Sequence, residues 1–197
     1  MVSLQRCWKR ADMRKTIVWL ALLSCSHASW AFQDSRTLSA LPAVGTVQVA
    51  FTPGDNAAAL VIATIRDARR QIRVQAFSFT HRAIADALIA AHQRGVDVAL
   101  IADSEQIDRI PISVARYMAA AGVPVYLDAE HASAHNKIMI IDADSAPVVI
   151  TGSYNFTHAA QYRNAENLLV LRGNPVLAQV YAVNWRRHRE HATALSP

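Results

Sequence analysis

Short β-type runs alternate with longer helical runs over most of this chain, and that alternation limits the folds it can adopt. The β-type runs are VQVAF, IRVQAFSF, VDVALIA and VPVYL, at residues 47–51, 72–79, 96–102 and 123–127. Runs with apolar residues at helical spacing lie between them, at residues 56–70, 81–94 and 112–121. Strands that alternate with helices of this length are typical of βαβ units, in which helices cover both faces of a sheet.

The pattern changes after residue 127. Two apolar runs, at 137–141 and 148–151, are separated by the turn-rich segment DADSAP, which predicts a β-hairpin. A short helix at 159–163, a core strand at 167–171 and a C-terminal helix at 175–189 complete the expected elements, with Pro175 in the first turn of the last helix. The sequence therefore predicts an α/β fold: a mixed β-sheet flanked by helices on both faces, in a single domain.

The first 31 residues have the anatomy of a secretory signal peptide. A basic start precedes the apolar run IVWLALL at 17–23, and Ser29-Trp30-Ala31 places small residues at the two positions that a signal peptidase reads. The run is too short to span a bilayer permanently. We predict a signal peptide at 1–31, an N-terminal arm at 32–46 and a folded domain at 47–197, in a periplasmic or secreted protein. A buried N-terminal helix is the alternative interpretation.

Both cysteines, Cys7 and Cys25, lie in this leader, so the processed domain would contain no disulfide bond. Residues 22–25 (LLSC) also resemble, weakly, a bacterial lipoprotein processing site, which would leave a lipid tether on Cys25. Two processing routes therefore stay open, which are cleavage after Ala31 and lipidation at Cys25.

Charge gives little information about partners once the leader is set aside. The whole chain has a formal charge of +5, and removing the leader's five cations and one acid leaves 15 cationic and 14 acidic side chains, a net charge of +1. Any phosphate-binding surface must therefore come from local clustering. Arginines cluster at 66–73 and at 186–189. Solvated helix faces and a surface that binds a nucleic-acid backbone explain these clusters equally well.

The segment HNKIMIID, at residues 135–142, carries the first chemical signal. Alternate side chains of a strand share a face, so His135 and Lys137 are expected to point the same way. Residues 138–141 contain no polar side chain, which predicts a strand buried on both faces. An imidazole and an ammonium at the end of a buried strand indicate an anionic ligand. Asp142 falls on the other face, and a place at the strand end or in the turn suits it better.

The returning strand of the hairpin ends in GSYN, at residues 152–155. Ser153 and Asn155 share a face, and Gly152 allows another backbone to approach. One patch could thus combine an imidazole, an ammonium, a hydroxyl and a carboxamide, a set that suits a phosphate group. Lys137, Ser153 and Asn155 would bind the non-bridging oxygens, while His135 approaches phosphorus.

A nucleophilic histidine must be neutral, with its proton on the far nitrogen, and a carboxylate usually orients that nitrogen. Glu166 is the candidate, because it introduces a core strand, where acids are disfavoured. Taken alone, a solvated loop residue is the more frequent interpretation of such a glutamate.

The pattern His-x-Lys-x4-Asp followed by Gly-Ser-x-Asn resembles the HKD signature of the phospholipase D superfamily, and in particular its Nuc-type small bacterial endonucleases. The resemblance extends over about residues 47–189 and makes 47–197 a phospholipase D-like catalytic domain. The matching positions are His135, Lys137, Asp142, Gly152, Ser153, Asn155 and Glu166. Nine residues separate Asp142 from Gly152, more than is usual in the family, which predicts a longer hairpin tip at 144–147.

The resemblance implies a metal-independent phosphodiesterase with no cofactor and a phosphohistidine intermediate on His135. It implies that Lys137, Ser153 and Asn155 stabilise the transition state and that a second histidine protonates the leaving group. Because the chain holds one His-x-Lys motif, His135 of a second copy is expected to supply that histidine in a two-fold homodimer that shares one active site. The expected catalytic residues are His135, Lys137, Asp142 and Glu166, and the expected substrate-binding residues are Gly152, Ser153 and Asn155.

The favoured substrate is nucleic acid, DNA above all, in a sequence-nonspecific endonuclease. A phospholipase D that acts on lipid head groups and a catalytically silent tethered accessory domain are the alternatives. No metal site is predicted, because Asp128, Glu130, His131 and His135 lack the H-x-E-x-x-H type of spacing. The other histidines are expected at the surface or at helix caps: His81, His92, His158, His188 and His191.

Overall fold

The computed structural model describes residues 40–110 and 112–196. The predicted signal peptide, the lipidation site at Cys25 and the first part of the predicted arm lie outside the described residues. The elements are, in chain order, β1 (Thr46–Thr52), α1 (Ala57–Asp67), β2 (Gln71–Ala76), α2 (Arg82–Gln93), β3 (Asp97–Asp103), α3 (Ser104–Arg109), α4 (Ala115–Ala120), β4 (Val125–Asp128), β5 (Lys137–Ile141), β6 (Val148–Gly152), α5 (His158–Tyr162), β7 (Glu166–Arg172), α6 (Pro175–His191) and β8 (Thr193–Ala194).

These strands form one mixed sheet in the order β1-β7-β6-β5-β2-β3-β4-β8. The neighbours β2, β3 and β4 are parallel, as expected for βαβ units, and the other neighbouring pairs are antiparallel. β5 and β6 form the predicted hairpin, in which Met139 pairs with Ile150 and Ile141 pairs with Val148. The prediction of a mixed α/β sheet flanked by helices on both faces is confirmed.

Alternate residues of the central strands enter two separate hydrophobic clusters. On one face, α1, α2 and α4 pack against a cluster that contains Val74 and Met139. On the other face, α6 packs against a cluster that contains Ile138 and Ile140. Trp185 of α6 belongs to the second cluster, and its indole N–H donates to the carbonyl oxygen of Val74 at 3.0 Å. The hydrogen bond and the apolar contact together fix α6 across the sheet.

β5 is buried over its whole length, from Lys137 to Ile141, because helices cover both of its faces. This confirms the burial expected from its apolar run. The consequence is that the first residue of the strand, a lysine, lies in the protein interior.

The carboxyl ends of the three parallel strands define one end of the sheet. Lys137 begins β5 at that end, because it pairs with Ala76, the last residue of β2. His135 precedes β5, so it lies at the same end as Asp103 and Asp128, which finish β3 and β4. Ligand sites of open α/β sheets commonly lie outside the carboxyl ends of the strands.

The sequence does not predict α3 and β8. Asp103 caps α3 by accepting a hydrogen bond from the backbone N–H of Gln106 at 2.9 Å, and Ile107 is the helix's one buried residue, so α3 shows no apolar period. β8 pairs with β4 over two residues, which is too short to leave a pattern. None of the helices within 40–110 and 112–196 combines the length and apolar character needed to cross a membrane.

Candidate active site

His135 and Lys137 lie together, as the two-residue period of a strand predicts. The Nζ atom of Lys137 is 3.0 Å from Nδ1 of His135 and donates to the His135 carbonyl oxygen at 2.8 Å. His135 is exposed, whereas Lys137 is only 7% exposed. The imidazole therefore faces outward, above a buried cation.

Phe77 forms the apolar wall of this pair. Its ring centroid is 4.3 Å from that of His135 and 4.9 Å from Nζ of Lys137. The backbone N–H of Phe77 donates to the carbonyl oxygen of Asn136 at 2.8 Å, which holds the aromatic ring at the mouth of β5. In the sequence, Phe77 is one of several apolar residues in the predicted strand at 72–79. The apolar pattern of that strand therefore does not predict its contact with the imidazole of His135.

Burial governs the charge of Lys137. Desolvation lowers the pKa of its ammonium to about 8, and the negative charge of Glu166 opposes that effect in part. Removing an ammonium from water without a full counter-charge is costly, and a bound anion relieves that cost. Lys137 is thus a buried cation that an anionic ligand would stabilise.

A cavity of about 390 Å³ opens beside the pair. Its walls come from His135 and Lys137, from Thr151 and Gly152 at the end of β6, and from Val180, Tyr181 and Asn184 of α6. A larger cavity of about 520 Å³ lies at the other end of β5, beside Asp142. The smaller cavity is the candidate active site, because it holds both the buried ammonium and the exposed imidazole.

Gly152 faces Lys137 when the β5–β6 register is continued by two residues. Its φ is +141°, and the backbone carbonyl of Asn167 occupies the space that a Cβ would need. The expectation that this glycine permits the close approach of another backbone agrees with the structure.

Ser153 and Asn155 lie just past β6. The Ser153 hydroxyl oxygen accepts from the backbone N–H and the side-chain amide of Asn167, at 3.0 and 3.2 Å. Asn155 Oδ1 is buried without a hydrogen-bond partner among the described residues. Neither side chain lines the cavity, and neither bonds His135 or Lys137 in the described part of the chain. Gln75 Oε1 and His81 Nδ1 are likewise buried without a partner among the described residues. Binding of the substrate by Ser153 and Asn155 therefore stays a prediction.

Glu166 begins β7 and makes no hydrogen bond to the imidazole among the described residues. Its Oε1 accepts from the side-chain amide of Asn164 at 2.9 Å, and Nδ1 of His135 instead contacts Nζ of Lys137 at 3.0 Å. Desolvation lowers the pKa of Lys137, and the negative charge of Glu166 opposes that effect. The role of Glu166 in orienting His135 stays a prediction.

Asp142 lies at the far end of β5 from His135, at the strand end where its position in the motif predicts it. It follows the last residue of β5, whereas His135 precedes the first. Its buried carboxylate accepts the backbone N–H groups of Arg69, Arg70 and Gln71, each at 2.8 Å. These hydrogen bonds fix the entry of the chain into β2, and a φ of +48° turns the chain out of β5. The contacts of Asp142 thus stabilise the start of β2, and Asp142 does not line the cavity beside His135.

The chain matches known proteins over the same region. Residues 61–187 match the family model described as "Cardiolipin synthase, PLD-like domain". The chain is 35% identical over 139 residues to the phospholipase D of Rickettsia typhi, an alignment that covers 71% of this chain and 66% of that protein. The chain therefore spans slightly less than two thirds of that relative's length.

Two solved structures have a similar fold. Nuc from Salmonella typhimurium, a phospholipase D family member, has 35% sequence identity to this chain and a TM-score of 0.73. The match covers 78% of this chain and 100% of the Nuc chain. NucT from Helicobacter pylori has 24% identity and a TM-score of 0.69, and the match covers 77% of this chain and 100% of NucT. At 24% identity the second likeness bears on the fold alone.

Proposed function

This chain belongs to the phospholipase D superfamily of phosphodiesterases, and from that premise we propose that it is a metal-independent nuclease that hydrolyses phosphodiester bonds of nucleic acid, with DNA as the favoured substrate. The observation that carries the proposal is the contact between the exposed imidazole of His135 and the buried ammonium of Lys137 at the rim of a cavity. This pair offers a nucleophile and a fixed positive charge to one phosphate.

In the proposed reaction, Lys137 leaves Nδ1 of His135 and turns toward the non-bridging oxygens of the phosphate. Nδ1 can then carry the imidazole proton, which frees the lone pair of Nε2 for attack on phosphorus. The Nε2–P bond forms as the P–O bond to the leaving group breaks. Water later attacks phosphorus, and the Nε2–P bond breaks to release the product and the neutral imidazole.

The leaving oxygen needs a proton, and the attacking water must lose one. We assign both steps to His135 of the partner subunit in a two-fold homodimer, since the chain has one His-x-Lys motif. A histidine that faces outward at a cavity rim suits a site completed by a second copy.

An exposed apolar surface next to this cavity supports the homodimer. On β1, Val47, Val49 and Phe51 are all exposed, and Phe51 is 62% exposed. Val47 pairs with Leu171, which packs against the cluster under α6, so these side chains share the sheet face that α6 only partly covers. Val180 of α6 is 51% exposed and also lines the cavity. A second copy that covers this surface would lie beside the active site.

The two arginine clusters differ in their relation to the site. Arg69 and Arg70 lie beside Asp142, at the end of the sheet opposite His135, so they do not border the cavity. Arg186 is exposed on the part of α6 that leads toward Asp128, at the same end of the sheet as His135. The second cluster is therefore the one that supports binding of a nucleic-acid backbone.

The phospholipase alternative has a specific observation in its favour, which is the name of the Rickettsia typhi relative. The test compares cleavage of DNA and of phosphatidylcholine vesicles by the purified protein in EDTA, with His135→Ala as the inactive control. We expect cleavage of DNA that disappears in His135→Ala. Head-group release without DNA cleavage would favour the phospholipase, and full DNA cleavage by the variant would refute the assigned nucleophile.

A further inference from the structure

Three histidines surround one buried carboxylate at the end of β4. Asp128 Oδ1 is 3.3 Å from Nδ1 of His131, while Asp128 Oδ2 is 2.7 Å from Nδ1 of His188 and 3.2 Å from Nε2 of His191. One candidate ligand atom from each of the four residues lies within 4.8 Å of all the others. His188 and His191 were expected at the surface or at a cap, and the fold instead brings them to Asp128.

The four residues come from three separate parts of the chain. Asp128 ends β4, His131 lies in the loop that follows, and His188 and His191 lie one turn apart in the last part of α6. The sequence therefore contains two pairs, Asp-x2-His and His-x2-His, in each of which the two side chains are close enough along the chain to reach one site. The pairs are too far apart in the chain for spacing alone to join them.

These four side chains are better suited to binding one divalent cation than to a state in which all three imidazoles are protonated. The imidazole centroids are 4.9, 5.4 and 5.5 Å apart, so protonation of all three rings would place three cations around one carboxylate. The side chain of Asp128 is fully buried, and an ion bound between it and the rings would supply the positive charge that a buried carboxylate needs.

We propose that Asp128, His131, His188 and His191 form a structural zinc site. Three imidazole nitrogens and one carboxylate oxygen are ligands that Zn²⁺ accepts, and four protein ligands leave no open position for catalysis. Zn–ligand bonds of about 2.0–2.1 Å place tetrahedral ligand atoms about 3.3 Å apart. Asp128 Oδ2 lies 3.2 Å from Nε2 of His191, which is close to this value, and 2.7 Å from Nδ1 of His188, which must move outward to bind an ion. His131 approaches the other carboxylate oxygen, Oδ1, at 3.3 Å. Small rotations of the rings would complete the tetrahedron.

The site is accessible and well placed to stabilise the active end of the sheet. The side chains of His131 and His191 are 35% and 29% exposed, so a cation can enter from solvent. A bound ion would join the end of α6 and the β4–β5 loop to the sheet. That loop leads within four residues from His131 to His135. The inference does not depend on which phosphodiester the enzyme cleaves.

The test starts from protein purified without a metal-affinity step. We expect about one zinc per chain by elemental analysis. After removal of metal with EDTA, titration with Zn²⁺ should raise the thermal midpoint by roughly 5–10 °C when free Zn²⁺ is a hundredfold above its dissociation constant. Mg²⁺ should not reproduce the shift. Co²⁺ should give the intense visible absorption of a tetrahedral nitrogen–oxygen site.

The double variant His188→Gln/His191→Gln supplies the decisive comparison, because glutamine can still donate hydrogen bonds to Asp128 but is a poor zinc ligand. The matched control is His92→Gln, which alters a histidine at the end of α2. We expect the zinc-dependent shift to vanish in the double variant, to weaken in His191→Gln alone and to stay in the control. No shift in the wild-type protein, or an equal shift in the double variant, would overturn the site and leave a hydrogen-bonded histidine cluster. The proposed function is tested separately, by comparing DNA cleavage by the wild-type protein and by His135→Ala.

Discussion

The ammonium nitrogen of Lys137 lies 3.0 Å from Nδ1 of His135, and that contact joins a buried charge to an exposed imidazole. The arrangement is unfavourable for the free protein, because Lys137 is desolvated without a direct carboxylate partner among the described residues. It is favourable once a phosphate occupies the cavity. The active site therefore gains affinity for anions at a cost in stability.

Replacing Lys137 with methionine should stabilise the fold and abolish activity. A pKa of about 8 in place of 10.5 corresponds to a penalty on the order of 3 kcal/mol at neutral pH, and methionine removes it while filling similar space. We expect the thermal midpoint of Lys137→Met to rise by roughly 5–10 °C at pH 7. Arg66→Met, at an exposed arginine, is the control and should change little. A lower midpoint for Lys137→Met would contradict the assigned penalty.

Activity and stability should respond oppositely to alkaline pH. Because the pKa of Lys137 is lower in the folded state than in the unfolded state, its penalty is fully present below pH 8 and fades between about 8 and 10.5. Over the same range kcat/KM should fall, because a neutral amine cannot bind phosphate as a cation. The measurement is a pH profile of kcat/KM beside unfolding midpoints at each pH. An activity that stays constant to pH 9.5 would show that the charge of Lys137 is not required.

Asp142 should matter for folding and not for chemistry. Asparagine can keep two of the three backbone hydrogen bonds but presents an N–H₂ group to the third, which should cost about 1–3 kcal/mol. We expect Asp142→Asn to lower the unfolding midpoint while the folded enzyme keeps its specific activity at 25 °C. Asp144→Asn, in the exposed hairpin tip, is the matched control. A large loss of kcat in a stably folded Asp142→Asn protein would restore a catalytic role.

Charge placed on the apolar surface of β1 should separate the subunits. We expect Phe51→Lys to halve the mass measured by light scattering and to reduce DNA cleavage about 100-fold or more, since the shared site loses its general acid. Ile112→Lys is the control, because Ile112 is also highly exposed but does not belong to that surface. A monomeric Phe51→Lys protein with full activity would exclude a shared site.

The sequence predicts those features that depend on a regular period. The two-residue period of a strand places His135 and Lys137 on one face, and the apolar run behind them predicts the buried β5. The crowding at Gly152 also agrees with expectation, because a glycine beside a motif strand often marks close backbone contact.

Features that depend on distant pairs are not predictable in this way. The carboxylate of Asp142 bonds amides about seventy residues earlier, and no local pattern joins Asp128 to His188, sixty residues later. Phe77 is a strand residue by composition, and only the pairing of β2 with β5 places its ring against His135. In each case the sheet topology, rather than a motif, brings the residues together.

The central claim is that Nε2 of His135 becomes covalently attached to phosphorus. The direct measurement is to mix the wild-type protein with a DNA oligonucleotide in EDTA, to quench at alkaline pH within the first turnover and to map modified peptides by mass spectrometry. We expect a nucleotide linked through phosphorus to His135 that appears together with the fragment released as the leaving group and disappears as water releases the second fragment. Cleavage of the same DNA with unmodified His135 at every time point would contradict the account.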